Sequence, residues 1–257
     1  MRKQDVVLLD FIDSMDAAES LDKLFDVLDK AISELGFDGA TYTFIPSLIN
    51  EALNQFTPVF LKSESYEQKF IEHYTEANFA DQDFTIKRIT HGDMRCIDWW
   101  HEAESKTISA REKHVIEVAR HDYMLTSGAT LPAYNGSKGA AGISIISSDK
   151  SNVFTLRYND NLATLKKITR LFNDRVLSST EHQLSFTLPF IRTLSQTERK
   201  VLSMLASGMH LKKIADSLNI TYKYAGNVVE RLREKFGSVS RERLLYIAGL
   251  MNFSELI

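Results

Sequence analysis

The chain has 257 residues, enough for one large domain or two ordinary ones, and its 44% hydrophobic and 25% charged residues are those of a soluble globular protein. No apolar run approaches the roughly 20 residues that a bilayer-crossing helix needs. Acidic residues interrupt the apolar part of MRKQDVVLLDFIDSMD, so no secretory signal is expected there, and the single cysteine, Cys96, excludes an internal disulfide and a cysteine-rich zinc site. A cytoplasmic location is the expectation.

In chain order, Ser20 caps a helix through Leu35 with Leu21, Leu24, Phe25, Leu28, Ile32 and Leu35 on one face, and Gly36 ends it. Gly39–Ile45 reads as a strand. Glu67 to Ala77 reads as a helix with Phe70, Ile71 and Tyr74 aligned, and Asp81 and Asp83 stand where they could cap a following helix. Ala110–His121 is another helix and Ser127–Tyr134 another strand. Asn135-Gly136-Ser137-Lys138-Gly139 reads as a strand-connecting turn. Gly142–Ser148 and Asn152–Arg157 read as a hairpin across Ser148-Asp149-Lys150. Asn161–Val176 is a long amphipathic helix, with Leu162, Leu165, Ile168, Leu171 and Phe172 inward. Strands flanked by helices on both sides predict an α/β/α sandwich for residues 1–177. The stretch 178–193, with Pro189, lacks periodicity and reads as a linker.

Residues 194–257 read as an all-α, four-helix DNA-binding domain of the helix-turn-helix type. Ser195 and Glu198 fit a capping box. Val201, Leu202, Leu205 and Ala206 form an apolar stripe, and Gly208 is a left-handed stop. A short helix, Leu211–Leu218, precedes the tight turn Asn219-Ile220-Thr221. The third helix, Tyr222 to Phe236, turns Ala225, Val229, Leu232 and Phe236 to the core and Lys223, Tyr224, Asn227, Glu230, Arg231 and Arg233 outward. Residues near the start of a recognition helix reach base edges, so Lys223, Tyr224, Asn227 and Glu230 or Arg231 are the expected base contacts. Lys212, Lys213 and Lys235 are the expected phosphate contacts. A fourth helix runs from after Ser240 to Met251 and is a candidate dimer contact. The charge agrees: this segment holds 10 Lys/Arg against 6 Asp/Glu, while the rest of the chain holds 21 against 28, which suits phosphate binding by the tail.

On Leu194, Glu198, Val201, Leu202, Ala206, Gly208, Ile214, Ala215, Leu218, Ile220, Val229, Leu232 and Phe236, residues 194–251 resemble the C-terminal domain of LuxR-type transcription regulators. Gly226 departs from a position where that family often carries Lys or Arg. The upstream region resembles the family's signal-binding domain, whose pocket takes an N-acyl homoserine lactone. The resemblance implies ligand-binding roles for Tyr74, for Asp83 as acceptor of the ligand's amide N–H, for Trp99 as an aromatic wall, for Thr130, and for Tyr66 and Ser144 near the acyl carbonyl. Gly128 matches a glycine at a strand start. Phe70 stands where the family has a tryptophan that donates to the lactone carbonyl, and Phe84 where it has a proline, so both imply a reshaped head-group end.

The resemblance implies a transcription regulator, not an enzyme. Its expected partners are a small signal molecule, double-stranded DNA with a palindromic operator, a second copy of the chain, and RNA polymerase. Two recognition helices of a dimer would sit one DNA turn, roughly 34 Å, apart. Two other readings stay open: a ligand-independent regulator whose aromatic residues fill the pocket, and an interaction protein forming inhibitory mixed dimers. No metal site or cofactor is expected: His91, His101, His114 and His121, with Asp93, Asp98 and Glu102, show no ligand spacing. Cys96 lacks a local nucleophile signature.

Overall fold

The computed structural model describes residues 1–46, 57–104, 108–250 and 253. Internal contacts divide the chain into two units, one of residues 1–45 and 58–179 and one containing the residues from 180 onward.

The first unit begins with a helix that the sequence reading did not anticipate, α1 (Lys3–Asp16), which buries Val7, Phe11 and Met15 at every fourth position. Helix α2 (Leu21–Glu34) starts at Ser20, whose hydroxyl accepts from Lys23 N. Gly36 follows at φ +92°, in the left-handed region that ends helices. Among the described residues, five strands form one sheet in the order β2 (Val59–Lys62), β1 (Gly39–Pro46), β5 (Gly139–Ser147), β4 (Ser127–Gly136) and β3 (Ile97–Asp98). The pairs β1–β2, β4–β5 and β3–β4 are antiparallel.

Strand side chains alternate between faces, and this alternation builds the three layers. On one face Tyr42 stacks edge-on against Phe172, 5.0 Å between centroids, and its hydroxyl donates to Asn173 Oδ1 at 3.0 Å. On the other face Thr41, Thr43, Ile45, Thr130, Gly142 and Ser144 look onto α3 (Gln68–Glu76) and α4 (Phe84–Thr90). Helices α5 (Trp99–Glu104) and α6 (Ala110–Asp122) complete that side. This is the expected α/β/α arrangement.

The expected hairpin between Gly142–Ser148 and Asn152–Arg157 does not form. β5 pairs instead with β4, turning at 137–138 where the sequence reading places a connection. Residues from Ser151 belong to the 28-residue helix α7 (Ser151–Ser178). A short apolar run is ambiguous between strand and helix periods. The decision comes from Phe154 and Tyr158, four residues apart and both buried, which extend the stripe Leu165, Ile168, Phe172 and Val176 by two turns.

The second unit opens with two short helices, α8 (Thr180–Ser185) and α9 (Leu188–Ile191), inside the stretch expected to be a linker. Ile191 and Leu194 are buried in this unit's core, and Phe190 packs edge-on against Phe236 at 4.7 Å. Four helices follow: α10 (Gln196–Ala206), α11 (Leu211–Leu218), α12 (Tyr222–Lys235) and α13 (Arg241–Leu250). The expected end of the last helix at Met251 lies outside the described residues.

Candidate functional site

The first unit has a cavity of about 70 Å³ between the sheet and α3–α4. Seven of the eight residues expected at the ligand site line it: Tyr66, Phe70, Tyr74, Asp83, Trp99, Thr130 and Ser144. A second cavity of about 40 Å³ lies toward α6 and shares Phe70, Tyr74, Asp83, Thr85 and Trp99 with the first. Phe84 lines only this smaller lobe.

Asp83 stands at the junction of the two lobes. As the N-cap of α4 it accepts from Thr85 N at 2.7 Å and from Thr85 Oγ1 at 2.6 Å, both through Oδ1. Its Oδ2 accepts from the Tyr74 hydroxyl at 2.8 Å. Capping and cavity lining are therefore one arrangement, because the helix start that needs an acceptor also aims the carboxylate inward. Burial pushes the Tyr74 phenol well above its ordinary value, and the neighbouring Asp83 charge adds to this, so Tyr74 stays a neutral donor.

A second chain of bonds crosses the sheet. Trp99 Nε1 donates to Thr130 Oγ1 at 2.8 Å, and Thr130 Oγ1 shares a proton with Ser144 Oγ at 2.9 Å. Thr130 and Ser144 are register partners on β4 and β5, so strand pairing sets this contact. Gly128 is required here: a Cβ at this position would lie 2.4 Å from the Trp99 ring. Phe70 sits among Tyr66, Tyr74 and Tyr123, with ring centroids 6.4, 5.9 and 5.1 Å away. It supplies bulk and no hydrogen-bond donor. Tyr66 is 2% exposed, yet its hydroxyl has no hydrogen-bond partner of good geometry, and the same holds for Thr41, 4% exposed. Burial raises the Tyr66 phenol, and the nearby Thr41 hydroxyl is the polar group that acts against that rise.

Sequence reasoning missed Thr41, Thr43, Ile45, Phe60, Ile71, Thr85, Ile86, Ile89 and Gly142, which complete the wall of the larger lobe. The alternation Thr41-Thr43-Ile45 on a recognised strand was the available signal. It marked a face without saying what covered it.

In the second unit the capping box forms as expected. Ser195 Oγ accepts from Glu198 N, and Glu198 Oε2 accepts from Ser195 N at 2.7 Å. Gly208 has φ +83° and Asn219 φ +54°, the left-handed stops of α10 and α11. Thr221 caps α12 through Tyr224 N. Helix α12 buries Ala225, Val228, Val229 and Leu232. It exposes Lys223, Tyr224, Asn227, Glu230 and Arg231, and Lys212 and Lys213 of α11 are also exposed. Three expected contact residues are tied within the unit, the first being Arg231, which reaches Glu198 at 4.0 Å. Glu230 pairs with Arg233 at 2.7 Å, and the Lys235 ammonium donates to Glu198 at 2.8 Å and to Thr193 O at 3.3 Å. Arg231 lies over the Tyr224 ring at 5.5 Å. Among the described residues no cluster of metal-ligating side chains is present and no helix is long and apolar enough to cross a membrane.

A three-layer unit with a small cavity between its sheet and helices, followed by a helix-turn-helix unit, is the make-up of a sensor-regulated transcription factor. The chain belongs to the LuxR-type regulators: the autoinducer binding domain family matches residues 20–176, and the bacterial regulatory proteins of the luxR family match residues 192–248. This is a family of transcription regulators, not of enzymes. No significant match to a curated protein was found. Among solved structures, the N-acylhomoserine lactone dependent LuxR-family transcription factor CepR2 from Burkholderia cenocepacia is similar at 15% identity and a TM-score of 0.52, over 66% of this chain and 94% of that one. Escherichia coli SdiA is similar at 14% identity and a TM-score of 0.47, over 98% and 97%. SdiA in complex with octanoyl-rac-glycerol gives 13% and 0.48, over 96% and 93%.

Proposed function

We propose that the cavity around Asp83 binds a small signal molecule and that its occupation controls DNA binding by the second unit. Residues 1–177 form the sensor, 178–193 the connection and 194–257 the DNA-binding domain. The observation that carries the reading is the Asp83 carboxylate, held by Tyr74 and Thr85 at the junction of two mostly apolar-lined lobes. A few convergent polar groups in an apolar cavity are the pattern of a ligand site. Tyr66, Phe70, Tyr74, Phe84, Trp99, Thr130 and Ser144 complete it. A bound ligand stabilises the folded form by mass action. The protein works in the cytoplasm as a homodimer on a palindromic operator, where it meets RNA polymerase. Lys223, Tyr224 and Asn227 face the bases, with Glu230 and Arg231 beside them, and Lys212 and Lys213 face phosphates. An N-acyl homoserine lactone is the first ligand to try.

The test is thermal unfolding with lactones of varied chain length. A saturable rise in melting temperature that is lost in Asp83→Asn supports the reading. A second reading draws on the cavity volume. About 70 Å³ falls well below the roughly 300–1,000 Å³ of ligand pockets, which favours a regulator that needs no ligand. Sequence-specific DNA binding unaided, with no shift from any compound, would establish that alternative and sink the first.

A further inference from the structure

The two lobes differ in the hydrogen bonds that they leave open. Among the described residues around the smaller lobe every side-chain donor is already committed: Tyr74 and Thr85 donate to Asp83, and Trp99 donates to Thr130. The rest of its lining is Phe70, Phe84, Val115, Ile116 and Ala119. The larger lobe holds the opposite case. There the buried hydroxyls of Tyr66 and Thr41 lack a partner of good geometry. Buried polar groups are nearly always paired in native structures, and these two hydroxyls reach each other at best with poor geometry, so the wall that they share is a place for an oxygen or nitrogen acceptor. Among the described residues, Asp83 is the only charged one lining either lobe. An anion would face this carboxylate with no cation to pair it. Three of the roughly four acceptor positions of the carboxylate are filled, which leaves room for one ligand N–H or O–H.

We infer that the site takes a small neutral ligand whose apolar end, free of carbonyls, fills the lobe beside α6 and whose acceptor oxygen meets the Thr41 and Tyr66 hydroxyls. The inference rests on the ligand-site reading above and narrows it. A lactone ring placed in the smaller lobe would bury a carbonyl with no side-chain donor. That costs about tenfold in affinity. A carbocycle of the same size loses nothing there.

The decisive comparison is calorimetric titration of the full-length protein with N-cyclopentylbutanamide and with N-butanoyl homoserine lactone, which differ only in the ring. The cyclopentyl amide should bind about tenfold tighter. In Thr41→Val its affinity should fall several-fold while the melting temperature of the ligand-free protein holds or rises, because the substitution removes an unpaired hydroxyl at nearly constant shape. A purely structural Thr41 would lower the melting temperature and leave the affinity alone, which overturns its assigned role. Tighter binding of the lactone overturns the inference and leaves the ligand-site reading standing. Binding of neither compound overturns both.

Discussion

Single side chains in this molecule carry two duties at once, and Asp83 is the clearest instance. It caps α4 and holds the buried Tyr74 hydroxyl. Asp83→Ala therefore loses a cap and leaves a buried phenol unpaired, at about 2–3 kcal/mol. Asp83→Asn keeps a good cap and an acceptor and should cost less than about 1 kcal/mol. Urea unfolding of both variants checks the contrast, and equal losses would sink it. Glu198 is the second instance, 3% exposed and bonded to both Ser195 and Lys235. Burial alone would raise its carboxyl, but the Lys235 ammonium and the Ser195 amide outweigh burial and hold it below its ordinary value of 4.5. The folded value is thus the lower one. Its contribution to stability is complete above about pH 4.5 and is lost as pH falls through the folded value. Glu198→Gln keeps the reciprocal cap and gives up the ion pair, which is worth about 1 kcal/mol because Lys235 is 40% exposed. The variant should be less stable at pH 7 and should flatten the acid limb of the stability profile. An unchanged limb would assign that limb to other carboxylates.

At the level of elements, α12 contains a position that its own unit does not explain. Gly226 lies inside the helix, its φ is outside the left-handed region, and an added Cβ would meet no atom within 4 Å. A helix-interior glycine costs roughly 1 kcal/mol relative to alanine. Gly226→Ala should raise stability by about that amount, seen as a higher denaturant midpoint at constant slope. A lower midpoint would mean that the position is packed. Helix α7 shows how an element extends past its local signal. Its first two turns are strand-like in composition, and they are helical because Phe154 and Tyr158 continue the buried stripe set by the residues after Asn161. Phe154 also meets Phe37 edge-on at 5.9 Å. Arg157, on the same turn, donates to Gly36 O at 2.7 Å and pairs with Asp149.

For the whole molecule, the charge imbalance predicts how DNA binding responds to salt. Lys212 and Lys213 are exposed and free to meet phosphates, whereas Lys235 is held by Glu198. In a dimer each of the two supplies two contacts, so each alanine substitution should lower the slope of log K against log salt by about 2. Lys235→Ala should change the slope less and the thermal stability more. Fluorescence anisotropy across a salt series separates the two classes, and an equal slope change for Lys235 would overturn the distinction.

Much of this was legible before any coordinates. The capping box at Ser195, the stops at Gly208 and Asn219, and the 3–4 spacing of Ala225, Val229 and Leu232 are local signals, because capping, left-handed backbone and helical period act within a few residues. They were enough for the four helices from α10 to α13, but not for α8 and α9, which open the second unit inside the expected linker. In the first unit, local periodicity was enough for α2, α3, most of α7 and one face of β1. Seven of the eight expected cavity residues also came together, on the strength of a family resemblance and not of any periodicity. The rest depended on contacts between segments far apart in sequence. Burial against the rest of the unit decided that residues 151–160 are helical, and strand pairing with β4 decided where β5 finds its partner. The packing of β1 against α3 and α4 added Thr41, Thr43 and Ile45 to the cavity wall. The sequence alone determined which residues each element turns inward, since that follows from backbone period. Only the tertiary structure decided which inward faces meet, and so left Thr41 and Tyr66 with open hydroxyls, because hydrogen-bond satisfaction belongs to the completed packing.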